Sequence, residues 1–221
     1  HKEYKIVHSH LDCLSAYPLK AAKKNGVPVR IAHSHNTSQE KNLKYLIKDY
    51  SKKQIPKYAT HLFACGKEAG KWMFGKHKFQ IMNNAIDAKK FIYNEEVRKQ
   101  KRAELGVEDK FVIGHVGRFN LQKNHEFLVK RFADFAKTNE DAVLVLIGNG
   151  ELQEKIKEMA KEYGIETKVK FLGLREDIPQ LLQAMDLFLF PSLFEGLPVT
   201  LVEAQAVSYT HLRAHETAAN L

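Results

Sequence analysis

The sequence predicts an α/β protein built from two Rossmann-like, doubly wound parallel sheets, and three observations support this prediction. Short apolar segments of strand length alternate with longer segments of helical periodicity, as in successive βαβ units. The length of 221 residues accommodates two modest domains. The hydrophobic content of 44% is sufficient for buried cores.

In the first half, the pattern predicts strand, helix, strand and helix over residues 4–75. The strands are expected at residues 4–8 and 29–32, where apolar residues run together, and a basic helix is expected at residues 41–57. A connector follows. We therefore place a first domain at residues 1–85 and a second at 86–206, with the substrate cleft between them.

In the second half, four short apolar segments predict parallel strands at residues 111–116, 143–147, 169–172 and 187–190. Helical periodicity lies between them, most clearly at residues 127–135 and 152–163. A last helix is expected from about Pro198, because proline fits the first helical turn and cannot donate to a strand ladder.

Charge is spread unevenly along the chain. Residues 1–84 contain 16 Lys and Arg against 5 Asp and Glu, whereas the remainder is close to neutral. A basic half favours an anionic partner. No nucleic-acid-binding motif is found, so we expect no nucleic acid and favour an anionic membrane surface.

The predicted helix at 41–57 places Leu43, Leu46, Ile47 and Tyr50 on one side of a lysine-rich segment. This pattern is typical of a helix that lies on a membrane surface. The alternative is a solvated helix whose apolar side packs on its own domain.

Compartment is indicated by three simple features. Cys13 and Cys65 are too few for a disulfide framework. No apolar run is long enough to span a membrane, and no secretory signal opens the chain. We expect a cytoplasmic protein, with the inner face of the cell membrane as a possible location.

Two glutamates, Glu195 and Glu203, follow the predicted strand at 187–190. Gly196 and Pro198 end the strand segment and start the next helix, so Glu195 lies in the loop and Glu203 in the helix. Ligands of open α/β sheets bind at this edge. Because carboxylates accept hydrogen bonds from hydroxyls, the pair predicts binding of ribose or sugar hydroxyls.

The loop after the strand at 111–116 contains Gly117, Arg118 and Lys123, close to a helix start. A guanidinium, an ammonium and free backbone N–H groups at a helix N-terminus suit a diphosphate. The alternative for Arg118 and Lys123 is a solvated loop.

A second glycine-rich turn, with Gly148 and Gly150, follows the strand at 143–147. It begins like a dinucleotide fingerprint but has Gln153 in place of the third glycine, so NAD is not supported. Backbone can still approach a ligand closely at these glycines.

Taken together, Glu-x7-Glu preceded by Gly-Arg-x4-Lys-Asn resembles the retaining glycosyltransferases of family 4, which have the two-lobed GT-B fold. The resemblance covers about residues 4–206. It implies transfer of a hexose-type sugar, with retention, from a nucleoside diphosphate donor to a hydroxyl acceptor. The expected donor is UDP-linked, and the expected acceptor is a glycan or lipid-linked molecule in polysaccharide or glycolipid assembly.

The resemblance also implies roles for individual residues. Arg118 and Lys123 would hold the donor diphosphate, Glu203 the ribose hydroxyls, and Glu195 would approach the transferred sugar. His35 would face that sugar, with His33 as the fallback one alternation away. The remaining nucleotide-site positions are Gly117, Gly148, Gly150 and Gly173, the last in the turn against which the base packs.

We expect no cofactor and no metal, because Arg118 and Lys123 would supply the positive charge and no Asp-x-Asp motif is present. A less favoured alternative is a zinc hydrolase, since His8, His10 and Asp12 resemble the metal-binding run of metallo-β-lactamase-like enzymes. A non-catalytic nucleotide-sugar-binding or scaffold subunit also stays open, and glycosidase chemistry is disfavoured by the phosphate-binding cations.

The sequence begins within an apparent strand and without methionine, and residues 207–221 resemble a translated sequencing adapter. We therefore expect a fragment with a partial acceptor-side domain, a partial nucleotide-sugar domain and a non-native tail. His211 and His215 are excluded from any site, and the chain alone is expected to be inactive.

Overall fold

A computed structural model describes residues 3–39 and 45–207. The chain divides into two compact units, His1–Ala85 with Phe194–Pro198 (unit 1) and Ile86–Leu193 with Val199–Leu221 (unit 2). Each unit contains a four-stranded parallel sheet, so the predicted α/β class with two parallel sheets is confirmed. Among the described residues, no helix combines the length and the apolar character needed to cross a bilayer.

Unit 1 contains four strands whose order in the sheet is their order in the chain. The strands are β1 (Ile6–Ser9), β2 (Val29–Ser34), β3 (His61–Ala64) and β4 (Gln80–Ile81), and the helices are α1 (Ala16–Lys24), α2 (Tyr45–Tyr58) and α3 (Lys67–Phe74). Leu19 of α1, Ile55 of α2 and Phe74 of α3 pack in one core with Ala32 and Ala64 of the sheet. The part of the predicted basic helix at 40–44 lies outside the described residues.

Unit 2 contains strands β5 (Phe111–Val116), β6 (Ala142–Ile147), β7 (Val169–Phe171) and β8 (Leu187–Phe188) and helices α4 (Glu95–Leu105), α5 (His125–Ala136), α6 (Gln153–Glu162), α7 (Ile178–Ala184) and α8 (Val199–Ala206). The strand order is β7-β6-β5-β8. The chain reverses its direction of winding between β5 and β8. This reversal creates a topological switch point, the place where open α/β sheets bind ligands.

The central strand β6 is buried along its whole length. Leu144 and Leu146 belong to the core that includes residues of α5 and α6. Val145 and Ile147 belong to the opposite core, which includes residues of α7 and α8. Since side chains alternate between the faces of a strand, both faces of the sheet are covered, as is usual for parallel sheets.

Helix α4 was not predicted from periodicity, although its ends are marked in the sequence. Asn94 caps it by accepting hydrogen bonds from the N–H groups of Glu96 and Val97, and Gly106 ends it with a left-handed φ of 61°. The helix has few apolar residues. On its inner face, Arg98 and Arg102 instead make ion pairs with Asp186. Periodicity alone therefore missed it.

Candidate functional site

The carboxyl ends of β5, β6 and β7 bring three turns of unit 2 together. The Gly117 N–H donates to Ile147 O at 2.9 Å, and the Gly148 N–H donates to Gly173 O at 2.8 Å. The glycines predicted to belong to the nucleotide site thus lie in turns that are hydrogen-bonded to one another.

Two of these glycines are required by the protein's own packing. Gly148 has φ of 135°, and a Cβ there would lie 2.1 Å from Gly117 O. A Cβ on Gly150 would lie 2.3 Å from Phe119 O. Because such contacts are too short for any side chain, glycine is needed for the turns to pack, whether or not a ligand approaches them.

Arg118 projects from the turn after β5, and its side chain is 70% exposed. Its Nη2 donates to Glu151 Oε2 at 3.1 Å, and its Nε lies 3.3 Å from the same oxygen. Glu151 begins the segment that leads into α6. The guanidinium is thus held at the edge of the sheet by an exposed carboxylate.

Lys123 lies in the same loop, two residues before α5. Its Nζ is 5.0 Å from the ring centroid of Phe190, a residue that follows β8. Next to it, Asn124 adopts a left-handed φ of 55° and its Nδ2 donates to Pro191 O at 3.3 Å. The loops after β5 and β8 therefore meet at the switch point, and the ammonium of Lys123 lies there.

Glu203 lies on α8 in the same unit and is half-buried. Its neighbour Ala204 is fully buried in the core, which anchors this face of the helix. Burial raises the pKa of the Glu203 carboxyl above its usual range. A partly desolvated carboxylate of this kind gains more from a hydroxyl donor than an exposed one does.

Glu195 belongs to unit 1, together with the rest of Phe194–Pro198, although the predicted boundary placed this segment in the second domain. Thr37 Oγ1 donates to Glu195 O at 2.7 Å, across 158 residues of sequence. Gly196 is packed so closely that a Cβ there would lie 2.0 Å from His35 O. The fold thus brings together the loops that contain His35 and Glu195.

His35 follows β2 and is held from two sides. Its backbone N–H donates to Asp12 Oδ1 at 2.9 Å, and its Nε2 lies 2.8 Å from His10 Nδ1. Burial lowers the pKa of His35, while Asp12 opposes that fall. His33 is 5% exposed and His35 is half-buried, so His35 is the more accessible of the two predicted candidates.

The predicted metal run of His8, His10 and Asp12 does not form as expected. Both oxygens of Asp12 accept hydrogen bonds from the end of β2, the second from Asn36 Nδ2 at 2.6 Å. Among the described residues, the group close enough to share a metal ion is His8, His10 and His33. Sequence spacing could not identify His33, which comes from the neighbouring strand.

Two buried histidines of unit 2 were not identified from the sequence. His115 Nδ1 lies 2.9 Å from Leu189 O, and His125 stacks on Phe119 with 4.1 Å between ring centroids. Burial lowers the pKa of His115 to about 3 and that of His125 to about 4. Both are therefore neutral at pH 7 and add no positive charge beside Lys123.

The structure contradicts the alternative interpretation of α2, in which the apolar side of this helix packs on its own domain. Leu46, Ile47 and Tyr50 are 77%, 56% and 66% exposed. The helix instead buries Ser51 and Ile55. That alternative is therefore wrong for these three residues, while Leu43 lies outside the described residues.

The architecture matches solved structures of two-lobed glycosyltransferases. The crystal structure of Anabaena HepE in complex with UDP-glucose superposes with a TM-score of 0.80 at 22% sequence identity. The match covers 92% of this chain and 57% of the HepE chain. At this identity the match establishes the fold, which is of the GT-B type.

Sequence similarity identifies the family. Residues 96–210 match the model of the glycosyl transferases group 1, and the chain belongs to this family. EpsF of Bacillus subtilis strain 168, by name a glycosyltransferase, is 39% identical over 214 residues, covering 92% of this chain and 55% of EpsF.

A second relative is named for its substrates. The Escherichia coli UDP-Gal:alpha-D-GlcNAc-diphosphoundecaprenol alpha-1,3-galactosyltransferase is 28% identical over 218 residues, covering 93% of this chain and 56% of that protein. The chain thus spans about half the length of these two relatives.

Proposed function

We propose that this chain is part of a retaining glycosyltransferase that moves a hexose-type sugar from a UDP-linked donor to a hydroxyl acceptor in polysaccharide or glycolipid assembly. The observation that carries the proposal is the position of Arg118 and Lys123 beside three joined glycine turns at the switch point of unit 2. The names of the relatives support it, because the Escherichia coli protein is named for a UDP-linked donor and a lipid diphosphate-linked acceptor.

In unit 2 the proposed ligand is the nucleotide. Arg118 and Lys123 would bind the diphosphate, where a guanidinium fork and an ammonium complement phosphate oxygens. The turns at Gly117, Gly148 and Gly150 would let the backbone approach the nucleotide, and the base would pack at the Gly173 turn. Glu203 would accept hydrogen bonds from the ribose hydroxyls.

In unit 1 the proposed ligand is the transferred sugar. The Thr37 hydroxyl and the close packing of Gly196 hold the Glu195 loop on the His35 loop, so the backbone that carries the carboxylate and the imidazole is fixed before any ligand binds. Prearranged hydrogen-bonding groups can stabilise developing charge without reorganisation. We assign both residues to the sugar rather than to the nucleotide.

We propose that the transfer is metal-independent. Negative charge grows on the leaving diphosphate, and fixed cations that are stronger partners for the transition state than for the ground state accelerate its departure. Arg118 and Lys123 are the cations placed for this role. Activity should accordingly survive a strong chelator, whereas loss of activity that Mg²⁺ or Mn²⁺ restores would refute the proposal.

We also propose an anionic membrane surface as a partner of unit 1 and the inner face of the cell membrane as the place of action. Leu46, Ile47 and Tyr50 are exposed on α2, and the helix also contains Lys48, Lys52 and Lys53. Apolar side chains beside lysines suit the boundary between lipid headgroups and acyl chains.

The decisive test of the donor proposal compares UDP, UMP and uridine as ligands of the chain by calorimetry. UDP should bind most tightly, because only UDP offers the diphosphate to Arg118 and Lys123. Equal affinities for UDP and uridine would refute the diphosphate role. If UDP binds but the whole protein does not turn over UDP-sugars, the binding-only alternative is correct.

A further inference from the structure

Four histidines gather at the carboxyl ends of β1 and β2 in unit 1. The strands are parallel with His8 beside Ile31 and Ser9 beside Ala32, so one further step places His10 beside His33. Alternation puts His8, His10 and His33 on one face. Ring centroids lie 4.1 Å apart for His8 and His10, and 5.1 Å apart for His10 and His33.

Nitrogen atoms of His8, His10 and His33 lie within 4.8 Å of one another. A metal ion with Zn–N bonds of about 2.0–2.1 Å needs ligand nitrogens roughly 3.3 Å apart in tetrahedral geometry. His8 and His10 are exposed and His33 is buried. Forming the site therefore requires the two exposed rings to turn toward the buried ring of His33, because the His8 and His33 rings are stacked with an interplanar angle of 4°.

The hydrogen bonds around His35 determine which nitrogen of His10 is available. Asn84 Nδ2 donates to Leu197 O at 2.7 Å, and the Asn84 side chain is also a hydrogen-bond partner of His35. We assign the tautomers in which Asn84 Oδ1 accepts from the His35 ring and His10 Nδ1–H donates to His35 Nε2, two nitrogens that lie 2.8 Å apart. His10 Nε2 is left with a free lone pair, the form required of a metal ligand.

His33 supplies the second reason to expect a ligand. It is 5% exposed, and neither ring nitrogen makes a hydrogen bond of normal geometry within residues 3–39 and 45–207. The backbone of Met82 lies near the ring but outside normal hydrogen-bond geometry. A buried polar group without a partner is costly, and a metal ion would satisfy it.

We propose that His8, His10 and His33 form a binding site for a divalent transition-metal ion, Zn²⁺ or Cu²⁺. Imidazole ligands suit these metals, and three histidines leave a fourth position for water or another ligand. Mg²⁺ and Ca²⁺ prefer oxygen ligands, whereas both carboxylate oxygens of Asp12 are already engaged. The site goes beyond the proposed sugar transfer and is not needed for it.

The hydrogen bond from His10 to His35 gives His35 a place in this site as a positioning residue. Partners that orient a metal-bound imidazole typically contribute a factor of roughly 10–100 to metal affinity. Removing His35 should therefore weaken metal binding without removing a ligand. Removing His8 or His10 should weaken it further.

The test uses the metal-free 221-residue chain with His1→Ala, His211→Ala and His215→Ala, because these three histidines lie outside the described residues and can bind metal themselves. Zn²⁺ is titrated by calorimetry and Cu²⁺ by electron paramagnetic resonance, where nitrogen hyperfine splitting reports imidazole ligands. We expect one ion per chain. Affinity should fall more than roughly tenfold in His8→Ala and in His10→Ala, and roughly tenfold in His35→Asn.

His77→Ala is the matched control, because His77 is an exposed histidine of the same unit outside the group. It should leave the affinity unchanged. His33→Asn should abolish the nitrogen signal of a third ligand, and if that chain fails to fold, the exposed His8 and His10 variants decide. Unchanged affinity in both, or an equal loss in His77→Ala, would overturn the proposal.

Discussion

The two units place histidines at the carboxyl ends of parallel strands, but in opposite surroundings. In unit 1, the rings of His8 and His10 are exposed and stand next to His33. In unit 2, His115 near the end of β5 and His125 at the start of α5 are buried. Histidines at similar places in the two sheets therefore differ in whether a ligand can reach them.

The same difference is found along the whole edge of each sheet at which the carboxyl ends of the strands lie. In unit 1, side chains lie at this edge, chiefly imidazoles and the Asp12 carboxylate. Asp12 adopts a left-handed φ of 44°, which a non-glycine residue rarely takes. Unit 2 presents backbone turns and two cations. An edge of N–H groups and cations suits an anion, whereas an edge of imidazoles suits hydroxyls or a metal.

The largest expected effect is on membrane binding, which we expect to depend on unit 1 and not on unit 2. Lys48→Glu, Lys52→Glu and Lys53→Glu together should abolish co-sedimentation of the chain with phosphatidylglycerol vesicles, because attraction to anionic lipid is lost and repulsion replaces it. The matched control in unit 2 is the triple change of Lys155, Lys157 and Lys161 to glutamate. Equal losses for both triples would show that only net charge matters, and no specific surface of α2 would be needed.

The next effect tests the anion-binding edge of unit 2. Arg118→Ala with Lys123→Ala should weaken UDP binding by a factor of at least roughly 100, since hydrogen bonds to charged groups each contribute about 1.5–3 kcal/mol. Uridine binding should change little. The measurement is calorimetry with both ligands, and Lys161→Ala serves as the control. A parallel loss for uridine would point to a damaged fold instead.

A somewhat smaller effect concerns the ribose. Glu203→Ala should weaken UDP, UMP and uridine alike by a factor of roughly 10–100, because a charge-assisted hydrogen bond to a hydroxyl is lost. 2′-Deoxyuridine diphosphate should already bind more weakly to the parent chain, and Glu203→Ala should cost it less. If UDP affinity is unchanged in Glu203→Ala, the ribose role is wrong.

Much of unit 2 could be predicted because buried parallel strands are continuous apolar runs. The predicted strand at 111–116 coincides with β5, and the strand at 143–147 misses only Ala142 of β6. The strand at 187–190 was too long, since β8 ends at Phe188. Residues beyond it are apolar because they pack against the core around β5, as Phe190 does, and apolarity alone cannot distinguish this from pairing.

The candidate site was predictable only where its residues are close in sequence. Arg118 and Lys123 share one loop, so their joint placement at a strand end followed from spacing. The grouping of His33 with His8 and His10 depends on strand register, and the packing of Gly196 on His35 depends on long-range folding. Neither follows from spacing along one chain.

Acidification should destabilise unit 2, because its buried histidines bind protons more readily in the unfolded chain than in the folded one. The pKa of His125 is about 4 in the folded chain and near its usual 6.5 when unfolded, so between these values the unfolded state binds more protons and stability falls as pH falls. At pH 5 the cost due to His125 alone is about 2 kcal/mol, at about 1.36 kcal/mol per pKa unit, and His115, with a pKa of about 3, adds a similar amount.

His125→Phe should remove most of the cost due to His125, because the ring stacks on Phe119 and neither of its nitrogens has a hydrogen-bond partner among the described residues. Urea unfolding at pH 7 and pH 5 measures it. His77→Phe, an exposed position, should keep the full dependence. A variant at position 125 that loses as much stability between these pH values as the parent would show that His125 is not the acid-sensitive group.

The smallest expected effect concerns Glu151, the carboxylate that pairs with Arg118 at 3.1 Å. An incoming diphosphate must compete with this carboxylate for the guanidinium and is also repelled by it. Because both side chains are exposed, the pair is weak and its removal should tighten UDP binding only roughly threefold. Glu151→Gln keeps the size and removes the charge, so calorimetry at low salt should detect the gain, and added salt should reduce it.

In the Arg118→Ala background most of the gain should vanish, which a double-mutant cycle measures directly. An equal gain with and without Arg118 would mean that Glu151 acts on the nucleotide as a general negative charge, and a loss of affinity would mean that it positions Arg118 for the diphosphate.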